Sequence, residues 1–329
     1  MTLHVACAAD ARYAPYCAAM LHSLFSHNRW SPIAVHFLRA PALDESVVRR
    51  LQRMVDSLGG VIEFHSVPDS DVAGLPVMDR IPGLMWYRIF LPQLCPELDR
   101  ILYLDADTLI LDSLEPLWRT DLHGYVLGAV DNVLERETQQ RPAQLGLPAD
   151  ATYFNSGVLL LNLARMRADN TTQRLAAHAR SEGSRLMWPD QDTLNVVLAA
   201  QRLALHPRWN CQNSCFYFPW AAEVFGAEIL REALEHPAIL HFEGGDHAKP
   251  WHYLNTHPYR HAYRRTLAQT PWGEQPLEGR NFANMIVRYV PGAAAARNAG
   301  ERWRRRLRSI ARRAINAARA LHATRPVKP

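Results

Sequence analysis

The stretch WYRIFLPQLCPELDRILYLDADTLILDSLEPLW, residues Trp86–Trp118, places two carboxylates at the end of a predicted strand. The apolar run within Arg100–Asp107 predicts the strand, and one residue separates Asp105 from Asp107. Carboxylates this close repel each other unless a cation lies between them. Mg²⁺ or Mn²⁺ is the usual partner, because it bridges carboxylates to substrate phosphates. Alternatively, one of the two acids caps the following turn and the other is solvated.

Apolar runs alternate with helical periodicity on the N-terminal side of this stretch. Leu3–Asp10, Ile33–Ala40 and Val61–Pro68 predict three more strands. Helices are predicted after the first two, with Pro15 near one start and Asp44 capping the other. The alternation predicts an α/β fold in which helices cover both faces of a mostly parallel sheet.

Ligands of such sheets bind at the carboxyl ends of the strands. Asp10 and the Asp105–Asp107 pair both lie at predicted strand ends. Neither a G-x-G-x-x-G after the first strand nor a G-x-x-x-x-G-K-[ST] occurs, which disfavours a dinucleotide site and a P-loop. The phosphates of a nucleotide bound here must therefore be neutralised in another way.

Five blocks of sequence occur in order along the chain: Cys7–Tyr13 (CAADARY), Trp86–Trp118, Phe154–Leu163 (FNSGVLLLNL), Pro189–Asn195 (PDQDTLN) and His241–Trp251 (HFEGGDHAKPW). Together they resemble glycosyltransferase family 8, over about residues 3–255. This family includes bacterial lipopolysaccharide α-galactosyl- and α-glucosyltransferases and the glycogenins. The resemblance implies a GT-A fold, with a Rossmann-like UDP-sugar half and an acceptor half. It also implies a hexosyltransferase that moves galactose or glucose from a UDP-sugar to a saccharide acceptor with retention, using Mn²⁺.

The resemblance assigns metal ligation to Asp105, Asp107 and His241. Two carboxylates and an imidazole suit Mn²⁺ better than Mg²⁺, although Mg²⁺ remains an alternative. The spacing from His241 to Lys249 is longer than the family pattern, which leaves His247 as a rival ligand.

Phosphate and base contacts are implied for a second group of residues. Lys249 would stabilise the leaving UDP, and Gly244 or Gly245 would let backbone amides approach the phosphates. Ala8 and Asp10 match positions that contact uracil, whose N3–H a carboxylate can accept. For Tyr13, stacking on the base and packing on the sheet are both open.

Sugar contacts are implied for a third group. Arg88 would lie near the donor sugar and the paired carboxylates, with an ordinary ion pair as the alternative. At least one of Asp190, Gln191 and Asp192 is expected to be structural, as a helix cap, because a helix follows them. The remaining implied contacts are Asp131, Asn155, Gly157, Asp190 and Gln191.

Gln191 is the implied neighbour of the anomeric carbon, and an amide is a poor nucleophile. This favours front-face attack by the acceptor hydroxyl over the carboxylate nucleophile of most retaining hydrolases. Asp190 as a transient nucleophile is the alternative.

Charge divides the chain unevenly. The whole chain carries +5, whereas residues 297–329 carry +10 and the preceding residues −5. Trp303, Leu307 and Ile310 recur at helical spacing among arginines, which predicts a basic amphipathic helix that binds anionic membrane. A solvated tail and a nucleic-acid-binding tail are the alternatives, and nucleic acid is disfavoured because no matching motif occurs.

These observations predict three segments: a GT-A catalytic domain (1–255), a helical extension (256–296) and a membrane-associating tail (297–329). No secretory signal is expected, and five cysteines do not suggest a disulfide framework. We expect a cytoplasmic enzyme at the inner face of the cytoplasmic membrane, acting on a lipid-linked acceptor such as lipopolysaccharide core. The alternatives are a metal-dependent nucleotidyltransferase and an inert membrane adaptor of the same fold.

Overall fold

The computed structural model describes residues 1–78 and 83–290. Two β-sheets lie within the described residues, one of seven strands and one of three. The strands are β1 (Leu3–Ala9), β2 (Ile33–Arg39), β3 (Val61–His65), β4 (Arg100–Leu104), β5 (Thr108–Ile110), β6 (Leu127–Asp131), β7 (Phe154–Asn162), β8 (Arg202–Ala204), β9 (Cys211–Gln212) and β10 (Ile239–His241).

The large sheet has the order β3-β2-β1-β4-β7-β6-β8, and the small one β5-β10-β9. In the large sheet, β7 runs antiparallel to β4 and β6, and the other pairs are parallel. The prediction of an α/β fold with a mostly parallel sheet is therefore confirmed.

Short helices connect the strands within the described residues, and several are single turns. The α-helices are α1 (Ala14–His27), α2 (Glu45–Ser57), α3 (Asp69–Val72), α4 (Leu91–Leu94), α5 (Glu115–Trp118), α6 (Arg141–Gln144), α7 (Leu163–Ala168), α8 (Thr171–Glu182), α9 (Pro189–Leu198), α10 (Asn213–Tyr217), α11 (Ala221–Phe225), α12 (Ala227–Glu235), α13 (Arg260–Ala268) and α14 (Phe282–Tyr289). The 3₁₀ helices are Leu84–Phe90, Arg136–Thr138, Gly183–Arg185, Ala199–Gln201, Pro207–Asn210 and Asp246–Ala248.

Local chemistry explains several element boundaries. Pro15 lies in the first turn of α1, where its missing N–H costs nothing. Asp44 caps α2 by accepting a hydrogen bond from the Ser46 amide at 2.6 Å. Strand β4 ends at Leu104, three residues before the predicted end, so the two acids lie in the turn that leads into β5.

The large sheet is buried on both faces. Along β4, Leu102 and Leu104 join one apolar cluster, whereas Ile101 and Tyr103 join a second one on the opposite face. Leu21 of α1 packs into the first cluster, and Trp86 of the 3₁₀ helix packs into the second. Burial of apolar surface stabilises a fold by about 25 cal/mol per Å², so the apolar clusters on both faces of the sheet stabilise the folded state.

The chain divides into two compact units. Within the described residues, one contains Met1–Pro250 and His257–Gln275, and the other contains Trp251–Thr256 and residues 276–290. The predicted boundaries at residues 255 and 296 stay predictions, and the predicted basic amphipathic helix lies outside the described residues. Among the described helices, none has the length and apolar character needed to cross a bilayer.

Asp192 is the structural acid of the PDQD block. Its fully buried carboxylate accepts hydrogen bonds from Arg141 Nη2 and the Tyr153 hydroxyl, both at 2.6 Å. It also accepts the backbone amides of Met187 and Trp188, which precede α9. One side chain therefore pairs a buried cation and fixes the chain entering α9.

We expect Asp192→Ala to lower the free energy of unfolding by about 3–5 kcal/mol, because Arg141 would stay buried without its partner. Glu235→Ala, which removes an exposed i,i+4 pair with Arg231, is the control and should cost less than about 1 kcal/mol. Denaturant unfolding followed by circular dichroism measures both. Equal losses would contradict the structural role of Asp192.

Candidate functional site

Asp105, Asp107 and His241 come together although 134 residues separate Asp107 from His241. Pairing of β5 with β10 sets His241 opposite Thr108, the residue that follows Asp107. The His241 Nε2 lies 3.4 Å from Asp107 Oδ1 and 3.9 Å from Asp105 Oδ2. These three side chains can therefore offer one donor atom each to a single ion.

The other oxygen of each carboxylate is held by a cation. Asp105 Oδ1 accepts hydrogen bonds from Arg88 Nη2 at 3.1 Å and from the Tyr103 hydroxyl at 2.9 Å. Lys249 Nζ donates to Asp107 Oδ2 and, at 2.7 Å, to the Phe242 carbonyl. Burial favours the neutral form of Asp107, but Lys249 and His241 outweigh it and hold the pKa of Asp107 well below its usual range.

A chain of amide hydrogen bonds orients the His241 ring. The Gly157 amide donates to Asn155 Oδ1 at 2.9 Å, and Asn210 Nδ2 donates to the same oxygen at 2.9 Å. Asn210 Oδ1 is thereby left to accept from His241 Nδ1, 3.0 Å away. With its proton on Nδ1, His241 presents the Nε2 lone pair towards the carboxylates, as ligating histidines do.

Asn210 is a site residue that the sequence analysis missed. It directly precedes β9, and β9 pairs in parallel with β10, which ends at His241. The motif blocks do not include Asn210, and only the strand pairing sets it beside the ring.

The donor set fits a divalent ion with oxygen and nitrogen preference, as predicted from the sequence. Two carboxylate oxygens and one imidazole nitrogen all lie within 4.8 Å of one another, with charge to balance a dication. Sulfur is absent from this set, which favours Mn²⁺ or Mg²⁺ over softer ions. His241 rather than His247 is the histidine grouped with the two acids.

Gly157 allows β7 to approach Asp105 and His241 closely. Its carbonyl accepts the Asp105 amide at 2.8 Å. A Cβ at this position would lie 2.7 Å from Asp105 Oδ2 and closer still to His241 Cε1. Gly157 therefore contributes its backbone carbonyl, and there is no room for a side chain at this position.

Arg88 lies at the centre of the buried polar site. Its guanidinium pairs with Asp105 and, at 3.5 Å, with Asp190, and it donates to the Ser156 carbonyl. It also stacks 4.4 Å above the Tyr103 ring. Burial opposes its charge, yet Asp105, Tyr103 and the other nearby acids together more than compensate and raise the pKa of Arg88. Arg88 thus forms an ion pair with one of the paired carboxylates, and its contact with the donor sugar stays a prediction.

Asp190 and Gln191 lie at the start of α9, beside β7. Gln191 Oε1 accepts the Ser156 amide at 3.0 Å, and Gln191 Nε2 donates to the Tyr153 hydroxyl at 3.3 Å. Asp190 contacts Arg88 and the Ser156 hydroxyl. Burial raises the pKa of Asp190, with Arg88 acting in the opposite direction.

Asp131 ends β6, and its carboxylate pairs with Arg202 at 2.8 Å. Its carbonyl accepts Gln212 Nε2 at 2.8 Å. The structure therefore gives Asp131 protein partners, and its contact with sugar stays a prediction.

The predicted base-binding residues follow β1. Asp10 Oδ1 accepts the Tyr13 amide at 2.8 Å, and Ala8 lies within β1. Burial raises the pKa of Tyr13, and the charges of Lys249 and Asp107 both act on that hydroxyl. The base-contact roles of all three residues stay predictions.

The predicted phosphate loop follows β10. Gly244 has φ of 99°, a conformation that favours glycine, whereas Gly245 has an extended conformation. Arg12 and Asp246 approach within 4.0 Å, which sets the turn after β1 beside this loop.

We expect Gly157→Ala to weaken Mn²⁺ binding by at least about tenfold, because its methyl group would displace Asp105 and His241. Gly245→Ala is the matched control, since a Cβ there meets no atom within 4 Å. Calorimetry without nucleotide measures both affinities. Unchanged binding by Gly157→Ala would show that these residues do not hold the ion.

Several known proteins are similar to this chain in sequence. General stress protein A of Bacillus subtilis is 28% identical over 82% of this chain and 94% of its own length. A lipopolysaccharide 1,2-glucosyltransferase of Escherichia coli is 24% identical, over 87% of this chain and 84% of its own.

Two crystal structures of the galactosyltransferase LgtC share the fold at 26% identity, covering 82% of this chain and 96% of theirs. One, with TM-score 0.73, contains donor and acceptor sugar analogues. The other, with TM-score 0.72, is an active-site mutant in which glutamate replaces glutamine. The sequence profile of Glycosyl transferase family 8 matches residues 4–255. The chain belongs to glycosyltransferase family 8.

Proposed function

We propose that this glycosyltransferase moves a hexose, galactose or glucose, from a UDP-sugar to a saccharide acceptor with retention of configuration. The observation that carries the proposal is that Asp105, Asp107 and His241 converge on one point. The cationic side chains of Arg88 and Lys249 pair with the two carboxylates. Such a site offers a dication and a lysine to a diphosphate, which is the charge pattern that UDP requires.

Asp105, Asp107 and His241 would hold Mn²⁺, which would neutralise the diphosphate as it leaves. The protein's own part is to orient that ion and to add charge. Lys249, already beside Asp107, would exchange part of its contact for a phosphate oxygen and stabilise the leaving group. A phosphate oxygen could then take the proton of the acceptor hydroxyl.

The surroundings of Gln191 support front-face attack. The Ser156 amide and the Tyr153 hydroxyl fix its side-chain amide, which can therefore position a sugar hydroxyl. An amide is in itself a poor nucleophile. The similar galactosyltransferase LgtC also has a glutamine in its active site. Asp190 is the competing nucleophile, yet its contact with Arg88 lowers its nucleophilicity.

Lipopolysaccharide core is the acceptor that we propose, since the similar Escherichia coli protein is a lipopolysaccharide glucosyltransferase. An acceptor on the inner face of the cytoplasmic membrane would explain the basic tail. Residues 297–329 carry +10, against −5 for the rest of the chain, and would hold the enzyme at anionic lipid.

Asp105→Asn and Asp107→Asn should each reduce kcat/KM by about 10²–10³-fold or more, because each removes charge that the ion and the leaving diphosphate depend on. Asp112→Asn changes a nearby acid that pairs with Arg208 and should leave turnover unchanged. The assay incubates a panel of UDP-sugars with Mn²⁺ or EDTA and measures UDP. Release of pyrophosphate instead would indicate a nucleotidyltransferase, and turnover unaffected by EDTA would contradict the metal assignment.

Deleting residues 297–329 should release the enzyme from anionic vesicles and spare transfer to a soluble acceptor. Salt should weaken binding of the full chain, since exposed charges are screened beyond about 8–10 Å at physiological ionic strength. Trp303→Ala should reduce the binding that survives high salt, because apolar insertion is not screened. Vesicle co-sedimentation measures these effects, and equal sedimentation of the truncated chain, or preference for DNA, would contradict the anchor.

A further inference from the structure

A second group of metal-ligating side chains lies on the large sheet, and none of its members belongs to the site described above. It contains His36 of β2, Glu63 and His65 of β3, and Cys95, which directly follows α4. Parallel pairing sets His36 opposite Glu63 and Leu38 opposite His65, so these side chains share one face of the sheet. Cys95 belongs to the apolar cluster on that face.

The donor atoms converge on His36 Nδ1. The His65 Nε2 lies 3.1 Å from it and the Cys95 Sγ 3.5 Å from it. A tetrahedral ion with the usual Zn–N and Zn–S bond lengths separates two nitrogens by about 3.3 Å and nitrogen from sulfur by about 3.5 Å. The separations of His36 Nδ1 from the other two donor atoms are thus close to those of ligands around one zinc ion, and all three donor atoms lie within 4.8 Å of one another.

Glu63 supplies a fourth ligand from the solvent side. Its Oε2 lies 3.7 Å from both His36 Nδ1 and His65 Nε2, and its side chain is 61% exposed. A thiolate and a carboxylate together carry −2, which balances Zn²⁺ where His36 and Cys95 are buried. The four donors therefore match zinc in number, ligand type and charge.

His4 orients the central ligand. Its Nδ1 lies 3.1 Å from His36 Nε2, so the His36 ring can donate its Nε2–H to His4 and direct the Nδ1 lone pair at an ion.

We propose that His36, His65, Cys95 and Glu63 form a structural Zn²⁺ site, with His4 as a positioning residue. The ion would join β2 and β3 to the chain that follows α4. That chain continues from the 3₁₀ helix carrying Arg88, so the zinc would brace the segment that supplies Arg88 to the catalytic site. The nitrogen and sulfur donors select a softer ion than the oxygen-rich group of Asp105 and Asp107 does.

Co²⁺ titration of the reduced full-length chain tests this proposal, because Co²⁺ reports its ligands spectroscopically. We expect a thiolate-to-Co²⁺ charge-transfer band in the near ultraviolet and the visible bands of tetrahedral Co²⁺, both displaced by Zn²⁺. Asp105, Asp107 and His241 contain no sulfur and cannot produce the charge-transfer band. Cys95→Ser should abolish it, whereas Cys215→Ser, which alters another buried cysteine, should retain it.

Zinc stoichiometry provides a second measurement, made in the Asp105→Asn/Asp107→Asn chain so that the oxygen-rich group does not contribute. Zn²⁺ should raise the Tm of this chain, and His65→Ala should remove both the shift and the bound zinc. His4→Ala should weaken Zn²⁺ binding by about 10–100-fold without changing the cobalt band shape. Absence of the charge-transfer band in the unmodified chain, or its persistence in Cys95→Ser, would overturn the proposal.

Discussion

Repulsion between Asp105 and Asp107 is the constraint around which the candidate site is arranged. Two carboxylates separated by one residue and largely buried cannot both stay charged without compensation. Arg88 takes one oxygen of the first, Lys249 takes one oxygen of the second, and His241 faces the remaining two. The cations come from distant parts of the chain, so the site exists only when the whole domain is folded.

The same compensation prepares the site for an ion. Arg88 and Lys249 each hold one oxygen of a carboxylate. The other oxygen of each carboxylate and His241 Nε2 therefore remain directed at one point. The hydrogen bonds from Gly157 through Asn155 and Asn210 then fix which nitrogen of His241 carries the proton. A ring held in this way does not need to reorient when an ion or a nucleotide arrives, which lowers the cost of binding.

The large sheet would use metals of different character for different purposes. At the carboxyl end of β4, oxygen-rich ligands suit an ion that exchanges phosphate oxygens, as substrate turnover requires. The proposed site of His36, His65 and Cys95 has donors that suit zinc, which is commonly structural when its coordination is complete.

The sequence by itself determined the α/β class and the boundaries of β1 to β4 to within a few residues, because strand and helix periodicities are local properties of the chain. It also predicted the group of Asp105, Asp107 and His241, through the order of its motif blocks. Tertiary structure decided the rest. The antiparallel direction of β7, the position of Asn210 behind His241 and the approach of Arg88 to Asp190 all depend on which strands and loops become neighbours. Hydrophobic pattern constrains burial but not the order of strands, so contacts between residues far apart in sequence arise only on folding.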